Sequence, residues 1–330
     1  MITTAQLSDL TTNTQYEFAN VEPEFEYVRD RLAKKSTTSR KVDQVTSISS
    51  VQTARRRNEG DSSYTTSLKQ GYKTTFTQQG IAEMLEVTKE MRMYDQYDEI
   101  MTRVRSLRLG GERRMEMDVA LYYYNAWATS VINIDGETVA TTSPDGNALI
   151  YSAHTSNGSS TTYSNQIDTT HDPIDPSVLE RLAQLGNQFI DESDGRRIPV
   201  MFDTIVTSDH EPTQHAVARI LNSQLLAGTA NNDTNTFKSR YVHLSVKMIT
   251  TNPSTEAYDT SRDKYVFVAA LKNKDRNGLS MIVSQDLKLD AAENVTETGS
   301  WQFPVSAHYD TGLTKANFVA GTKGDSTLAS

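Results

Sequence analysis

The sequence predicts an α+β fold, in which helices and strands follow one another without the regular alternation of a doubly wound sheet. Three observations carry this prediction: one long helical pattern in the first half, many short apolar runs between turn residues in the second half, and no internal repeat. A chain of 330 residues buries roughly three quarters of its unfolded surface. We therefore expect two lobes or one large mixed domain with a sizeable core.

The first 30 residues mix polar and aromatic side chains without a sustained period. The aromatic members are Tyr16, Phe18, Phe25 and Tyr27. A terminal segment of this kind has no apolar face of its own, so we predict an arm that another surface must order.

Residues 34–75 are dense in Ser, Thr, Lys and Arg, and Val42, Val45, Ile48 and Val51 recur every three positions. Such a segment has too little apolar content to build its own core. The pattern fits a helix edge, a disordered linker or a long extended hairpin. The run from residue 72 to 76 and a turn at residues 58–61 favour the hairpin, and the flexible linker stays open as the alternative.

From Gly80 to Ala128 the apolar residues repeat at three and four positions, which predicts a long helix. The repeating side chains include Ile81, Met84, Leu85, Met91, Tyr94, Tyr97, Val104, Leu107, Met115, Val119 and Tyr122. We expect Gly110 and Gly111 to bend or end this helix, because each glycine costs about 1 kcal/mol against alanine.

The second half of the chain alternates short predicted elements. Residues 130–134 and 138–141 form a hairpin around the Asp135-Gly136 turn. A helix begins with Asp175 as N-cap and Pro176 as its first residue, and Gly195 ends it. A second helix covers 215–226. Predicted strands cover 198–207, 241–250, 265–271, 279–283, 301–309 and 317–319.

Charge is unevenly distributed along a chain whose formal net charge is −9. Residues 29–73 carry eleven Lys and Arg against four acids, whereas residues 131–330 carry 15 against 24. An acidic total argues against a dedicated DNA-binding protein, because phosphate contacts need a basic face. A basic segment on an acidic body instead lets copies of the chain attract one another.

Seven basic side chains form the one concentration of positive charge. They are Lys34, Lys35, Arg40, Lys41, Arg55, Arg56 and Arg57. These residues could contact nucleic acid, dock on an acidic neighbouring subunit, or be solvated. Aromatic residues do not interleave them as a platform for single-stranded nucleic acid requires, so we favour contacts between subunits.

The sequence contains no strong catalytic, metal or cofactor motif, and we predict that the protein is not an enzyme. His210 and His215 are five residues apart with Pro212 between them, whereas the zinc-protease helix motif needs a spacing of four. This pattern predicts a helix N-terminus capped by Ser208 or Asp209. A nucleophile elbow and a phosphate-binding glycine loop are also missing from the sequence.

Cysteine is absent, which excludes disulfides and thiolate chemistry. No apolar run is long enough to span a bilayer, and the first residues lack the features of a signal peptide. We therefore expect synthesis in cytosol and no membrane partner.

Residues 143–170 carry the most specific pattern in the chain. A Pro144-Asp145-Gly146 turn leads through apolar residues to Ala153-His154 and then to Tyr163-Ser164-Asn165. Because His154 lies among small residues, we expect it to form hydrogen bonds rather than act as a base. The string resembles a signature of the Mu-like major head subunits of tailed phages. The order of elements resembles the Hong Kong 97-type fold of phage capsid proteins.

That resemblance implies a division of the chain. Residues 1–35 would be an N-arm, 36–78 an extended E-loop hairpin, and 79–171 a peripheral domain with a spine helix at about 88–128. Residues 172–300 would form mainly the axial domain, and 301–330 would return to the peripheral domain. Residues 143–170 would join the two domains.

The resemblance also implies a function. The protein would be a major capsid protein that assembles as hexamers and pentamers into an icosahedral shell around double-stranded DNA. Its partners would be copies of itself, a separate scaffold protein, a portal, a decoration protein and weakly held DNA. It would lie in the virion, and in the host cytoplasm during assembly. Two alternatives stay open: the shell of a bacterial nanocompartment, and a soluble hydrolase using His154, His210 or His215.

Overall fold

The computed structural model describes residues 4–49, 51, 53–65, 68–88, 90–91, 94, 97–167, 173–225, 234–295 and 298–324. The helices are α1 Thr4–Ala19, α2 Arg29–Leu32, α3 Tyr97–Tyr124, α4 Pro176–Gly186 and α5 Glu211–Asn222. The strands are β1 Lys34–Thr37, β2 Val42–Ile48, β3 Gln70–Thr77, β4 Gln79–Val87, β5 Ser130–Ile132, β6 Thr138–Ala140, β7 His154–Thr155, β8 Thr162–Tyr163, β9 Thr204–Thr207, β10 Val242–Ser245, β11 Val266–Ala269, β12 Leu279–Leu289, β13 Glu293–Val295, β14 Ser300–Leu313 and β15 Val319–Thr322. The predicted α+β class is confirmed.

Helix α3 has 28 residues and is about 42 Å long. Its buried side chains recur at three and four positions, as the sequence predicts, and they include Ile100, Val104, Leu107, Met115 and Val119. The predicted start near Gly80 is wrong, because residues 79–87 form strand β4. Ile81, Leu85 and Val87 have the same parity, so an extended chain places all three on one face.

Helix α3 passes through Gly110 and Gly111 without a break, so the predicted bend or end is wrong. A Cβ built on Gly111 would lie only 2.7 Å from Cδ1 of Leu287 in β12. The missing side chain at Gly111 therefore lets the helix approach the sheet closely.

The first sheet has the order β1-β12-β14-β13, and β4 pairs with the opposite edge of β14. Strands β12 and β14 are long and antiparallel, and β1 runs parallel to β12. Helix α3 packs against this sheet. Strands β12 and β13, which precede residue 300, both pair with β14.

The second sheet has the order β10-β9-β11-β15. Strands β9 and β10 are parallel, and helix α5 connects them. Val206 and Phe267 face the core that contains α3, whereas Ile205 and Val268 face α4 and α5. Because both faces are buried, these strands are continuous apolar runs in the sequence.

Three predicted boundaries in this region need correction. Helix α4 begins at Pro176 with the Asp175 cap, as predicted, but it ends at Gly186. Gly195, with φ +74°, belongs to a later turn instead. The predicted strand at 198–207 is shortened to β9, and the N-cap of α5 is His210, whose side chain makes no capping hydrogen bond.

Strands β2 and β3 form an antiparallel hairpin, which confirms the hairpin prediction over the flexible linker. A turn closes at residues 58–61, where the Asp61 nitrogen donates to the Asn58 oxygen at 3.2 Å. Gly60 has φ +89° in this turn, a conformation that glycine adopts readily.

The N-terminal segment is more regular than predicted, because residues 4–19 form helix α1. Ion pairs and hydrogen bonds hold this segment along α3. They are Glu17 to Arg105, the Phe18 oxygen to Arg108, Glu24 to Arg113, and the backbone nitrogens of Val28 and Arg29 to Glu116. The surface that orders the segment here belongs to the same chain.

Candidate assembly surfaces

The turn at residues 143–147 is built around one buried carboxylate. The Asp145 oxygens accept hydrogen bonds from the Ser143 hydroxyl, from the Asn147 backbone nitrogen at 3.2 Å and from the Asn147 amide at 2.9 Å. Gly146 has φ +83° and lets the chain reverse. The Asp-Gly pair therefore fixes this loop through local hydrogen bonds.

His154 packs against the Asp145 carboxylate in the protein interior. Its Nδ1 lies 2.9 Å from Oδ2 of Asp145, and its Nε2 lies 3.3 Å from the Leu149 oxygen. The His154 side chain is only 1% exposed, so it cannot reach a substrate in solution. Burial raises the pKa of Asp145, but hydrogen bonds and the charge of His154 outweigh burial and hold that pKa well below its usual range.

A series of buried contacts connects His154, through Tyr163 and Glu192, to the backbone at residues 316 and 317. The His154 ring stacks on Tyr163 with centroids 5.2 Å apart, and the Tyr163 hydroxyl donates to Glu192 at 2.7 Å. Glu192 also accepts hydrogen bonds from the backbone nitrogens of Ala316 and Asn317 at 2.8 and 3.1 Å. Burial raises the pKa of Glu192, although these hydrogen bonds oppose that effect.

Asn165 explains the Tyr-Ser-Asn part of the pattern. Its side chain accepts from the Tyr151 nitrogen at 2.8 Å and donates to the Leu149 oxygen at 2.8 Å. The Gly321 nitrogen in β15 donates to the Asn165 oxygen at 3.1 Å. Because the Ile150 nitrogen also donates to Ala126 just after α3, this segment contacts both α3 and the second sheet.

The seven basic residues predicted to contact other subunits lie in three separate places. Lys34 and Lys35 in β1 form exposed ion pairs with Asp275 at 3.2 Å and Asp286 at 2.7 Å of the same chain. Exposed pairs of this kind contribute about 0–1 kcal/mol. Sequence reasoning could not foresee these partners, because about 240 residues separate the members of each pair.

Arg40 and Lys41 are exposed at the base of the hairpin, and Arg55, Arg56 and Arg57 are exposed at its tip. The Arg55 guanidinium lies 5.6 Å from the ring centroid of the exposed Tyr64. A weak hydrogen bond of 3.4 Å joins Arg57 to Ser63. The tip therefore stabilises itself only locally and presents its charge to solvent.

The base of the hairpin is held firmly, in contrast to the tip. Phe76 is 1% exposed, and a Cβ built on Gly312 would lie 2.7 Å from its ring. The Thr77 nitrogen donates to Asp310 at 2.7 Å, and the Tyr72 hydroxyl donates to the Thr155 oxygen at 3.1 Å. No sequence pattern indicated these contacts, because the residues on their two sides are distant in the chain.

The histidines of the predicted α5 N-terminus do not converge on a common site. His210 Nδ1 lies 2.9 Å from the Thr213 hydroxyl, and the exposed His215 lies 3.3 Å from Glu211. Among the residues that the structure describes, no three His, Asp or Glu side chains form a group that could hold a metal ion. No helix in the described part of the chain is long and apolar enough to cross a membrane.

Comparison with known proteins gives matches in structure and not in sequence. No protein-family model and no curated protein sequence matches the chain. The capsid of Ralstonia phage GP4 matches with a TM-score of 0.55 at 14% identity, over 91% of this chain and 89% of that chain. A structure from Gordonia phage Cozz matches with a TM-score of 0.53 at 10% identity, over 92% and 89%. The capsid structure of the cyanophage P-SCSP1u matches with a TM-score of 0.50 at 10% identity, over 92% and 90%.

These likenesses cover about nine tenths of both partners, so they extend beyond one shared motif. The likeness to the Mu-like branch stays a prediction, because it depends on the 143–170 string alone. The order of elements, the long helix α3, the projecting hairpin and the whole-chain likeness agree: this chain has the Hong Kong 97-type fold of tailed-phage capsid proteins.

Proposed function

We propose that this protein is a major capsid protein, which assembles with copies of itself into an icosahedral shell around double-stranded DNA. The observation that carries the proposal is the whole-chain likeness to the capsid of Ralstonia phage GP4. Fold likeness alone does not establish function, and a capsid subunit must also have a surface suited to assembly.

The hairpin supplies that surface. Every described residue from 51 to 70 is exposed, including Val51 at 71% and Tyr64 at 59%. In an isolated subunit, the exposed apolar and basic side chains of the hairpin contribute no buried apolar surface and no charge neutralisation to stability. Contact with another copy would bury the apolar part and neutralise the charge.

We assign the predicted regions to the observed elements as part of this proposal. The N-arm of residues 1–35 contains α1 and α2, the E-loop of 36–78 is the β2–β3 hairpin, and α3 is the spine helix. The peripheral domain centres on the first sheet and the axial domain on the second. Arg40, Lys41 and the three tip arginines then face neighbouring subunits, whereas Lys34 and Lys35 bind their own chain.

Assembly into a DNA-filled head requires further partners. We propose hexamers and pentamers as the units of the shell, together with a separate scaffold, a portal and a decoration protein. Packaged DNA would contact the acidic inner wall only weakly, because like charges repel. In this proposal the protein has no catalytic role, and His154 stabilises the fold.

Electron microscopy of the purified protein tests the proposal. We expect closed icosahedral particles, and particles from infected cells should hold DNA that resists nuclease. Particles filled with an enzyme would instead support the nanocompartment alternative. A protein that stays monomeric at all concentrations would contradict both. Hydrolase activity lost on His210→Ala or His215→Ala would support the remaining alternative.

A further inference from the structure

The turn between β7 and β8 carries an exposed Asn-Gly pair, Asn157-Gly158. The Asn157 backbone nitrogen donates to the Glu192 oxygen at 2.8 Å, so the turn packs on the segment at residues 191–195. Within the described part of the chain, the Asn157 side chain and the Gly158 backbone nitrogen make no hydrogen bond. The side-chain amide of Asn157 is therefore free to rotate towards the Gly158 nitrogen.

An asparagine in this position can react with its own backbone. The Gly158 nitrogen loses its proton and attacks Cγ of Asn157; a C–N bond forms, and the side-chain amide takes up a proton and leaves as ammonia. Glycine presents no side chain to hinder this attack. Water then opens the resulting succinimide ring at either carbonyl, which gives aspartate or isoaspartate. In isoaspartate the main chain runs through Cβ and Cγ and is one carbon longer.

The packing of the turn requires glycine at position 158. A Cβ built on Gly158 would clash with the backbone oxygen of Ser193, which cannot move aside as the end of a flexible side chain can. The fold therefore keeps, next to Asn157, the residue type that permits the reaction. Ser193 itself lies directly against Ser47 and Gly71 at the base of the β2–β3 hairpin.

The sequence contains one other Asn-Gly pair, Asn277-Gly278, and the fold holds it differently. Asn277 is only 4% exposed, and its Nδ2 donates to the Leu32 oxygen at 2.8 Å. Its Oδ1 accepts from the Leu279 nitrogen at 3.0 Å. Attack by the Gly278 nitrogen would require this amide to leave both hydrogen bonds inside the protein, which costs free energy. Asn277 is therefore protected by the fold, whereas Asn157 is not.

We propose that Asn157 is a site of spontaneous modification, at which the folded chain converts asparagine to aspartate and isoaspartate and thereby detaches the β7–β8 turn from residues 192–193. The reaction needs only water, so the inference goes beyond the proposed function and is independent of assembly. Isoaspartate lengthens the main chain between the Asn157 nitrogen, which binds Glu192, and Gly158, which abuts Ser193. The longer backbone cannot keep both contacts.

Peptide mass spectrometry of the aged full chain tests the modification. We expect conversion at Asn157 to be at least about tenfold faster than at Asn277, because only Asn277 must give up buried hydrogen bonds. Both rates should increase with pH, since the attacking nitrogen must lose its proton. In urea the two pairs should react at similar rates. Equal rates in the folded chain, or a preference that persists in urea, would overturn the proposal.

Hydrogen exchange tests the detachment of the turn. Ion exchange isolates the modified chains through their added negative charge, and methylation by an isoaspartate methyltransferase identifies those with isoaspartate. We expect the 154–163 peptide of these chains to exchange about fivefold faster than in fresh protein, the factor that corresponds to one lost hydrogen bond.

Two variants are matched controls for this measurement. Freshly purified Asn157→Asp adds the charge without lengthening the main chain, so it should exchange like fresh protein. Asn157→Gln should neither convert nor change on ageing, because a glutamine forms the corresponding six-membered ring far more slowly. Unchanged exchange in chains that contain isoaspartate, or faster exchange in fresh Asn157→Asp, would overturn the detachment.

Discussion

Three consecutive tyrosines at the end of α3 allow a sharp test of the packing. Tyr122 donates its hydroxyl to the Thr311 oxygen at 2.7 Å, and Tyr124 donates to Asp259 at 2.9 Å. Tyr123 is fully buried, and its hydroxyl has no hydrogen-bond partner among the described residues. A buried hydroxyl without a partner destabilises the folded state.

We expect Tyr123→Phe to raise the free energy of unfolding by about 1–2 kcal/mol, because it removes the stranded hydroxyl and keeps the ring. Tyr122→Phe should lower it by about 1–1.5 kcal/mol, since it leaves the Thr311 oxygen without its donor. With an unfolding entropy of roughly 2.1 cal/mol/K per residue, a chain of 330 residues shifts its Tm by about 1.4 °C per kcal/mol.

Differential scanning calorimetry of unassembled subunits at one pH measures both variants. We expect Tm to rise by about 1.5–3 °C for Tyr123→Phe and to fall by about 2 °C for Tyr122→Phe. Equal losses in the two variants would refute the reasoning, because they would show that the Tyr123 hydroxyl has a partner in the folded protein.

Other residues give further predictions for stability. Gly110→Ala should stabilise α3 by up to about 1 kcal/mol, whereas Gly111→Ala should stabilise it less, because the new Cβ would lie 2.7 Å from the Leu287 side chain and must displace it. Equal gains of the two variants in urea unfolding would contradict this. His154→Ala should cost about 1.5–3 kcal/mol, because it removes one buried hydrogen bond to the Asp145 carboxylate, which keeps its bonds from Ser143 and Asn147, and a loss below about 0.5 kcal/mol would contradict the pairing. The raised pKa of Glu192 means that the folded state binds its proton more tightly, so stability should increase as pH falls from neutral toward the ordinary glutamate pKa of 4.5. Glu192→Gln should reduce this dependence of stability on pH. An unchanged dependence would contradict the assignment to Glu192. The lowered pKa of Asp145 contributes stability above its ordinary pKa of 3.8, and we expect urea midpoints to fall as pH drops below that value.

Local signals predicted much of the fold. The Asp175 cap, Pro176 and the Asp135-Gly136 turn act through neighbours in the chain, and the structure has each of them where the sequence indicated. The error at β4 has a physical cause. Ile81 and Leu85, four residues apart, satisfy a helical spacing and a strand parity at once, so periodicity alone cannot decide between them.

The sequence predicted only part of the candidate assembly surfaces, for a related reason. Arg55, Arg56 and Arg57 were identified as a basic cluster because charge clusters are visible in one dimension. Glu83, Glu137 and Glu256 come from three separate parts of the chain and line one groove between β4, α3 and the β5–β6 hairpin only in the folded structure. Lys34 and Lys35 were grouped with the tip, although distant acids of the same chain bind them.

The sequence alone determined the class of the fold, most of the long helix and the charge contrast between the basic segment and the rest of the chain, and it favoured the hairpin. These depend on periodicity, turn chemistry and composition, which act over a few residues. Only the tertiary structure decided that residues 79–87 pair with β14, that His154 is sealed against Asp145, and that an acidic groove lies open beside β4. Each of these depends on contacts between residues far apart in the chain, whose free energy exists only once the layers have packed.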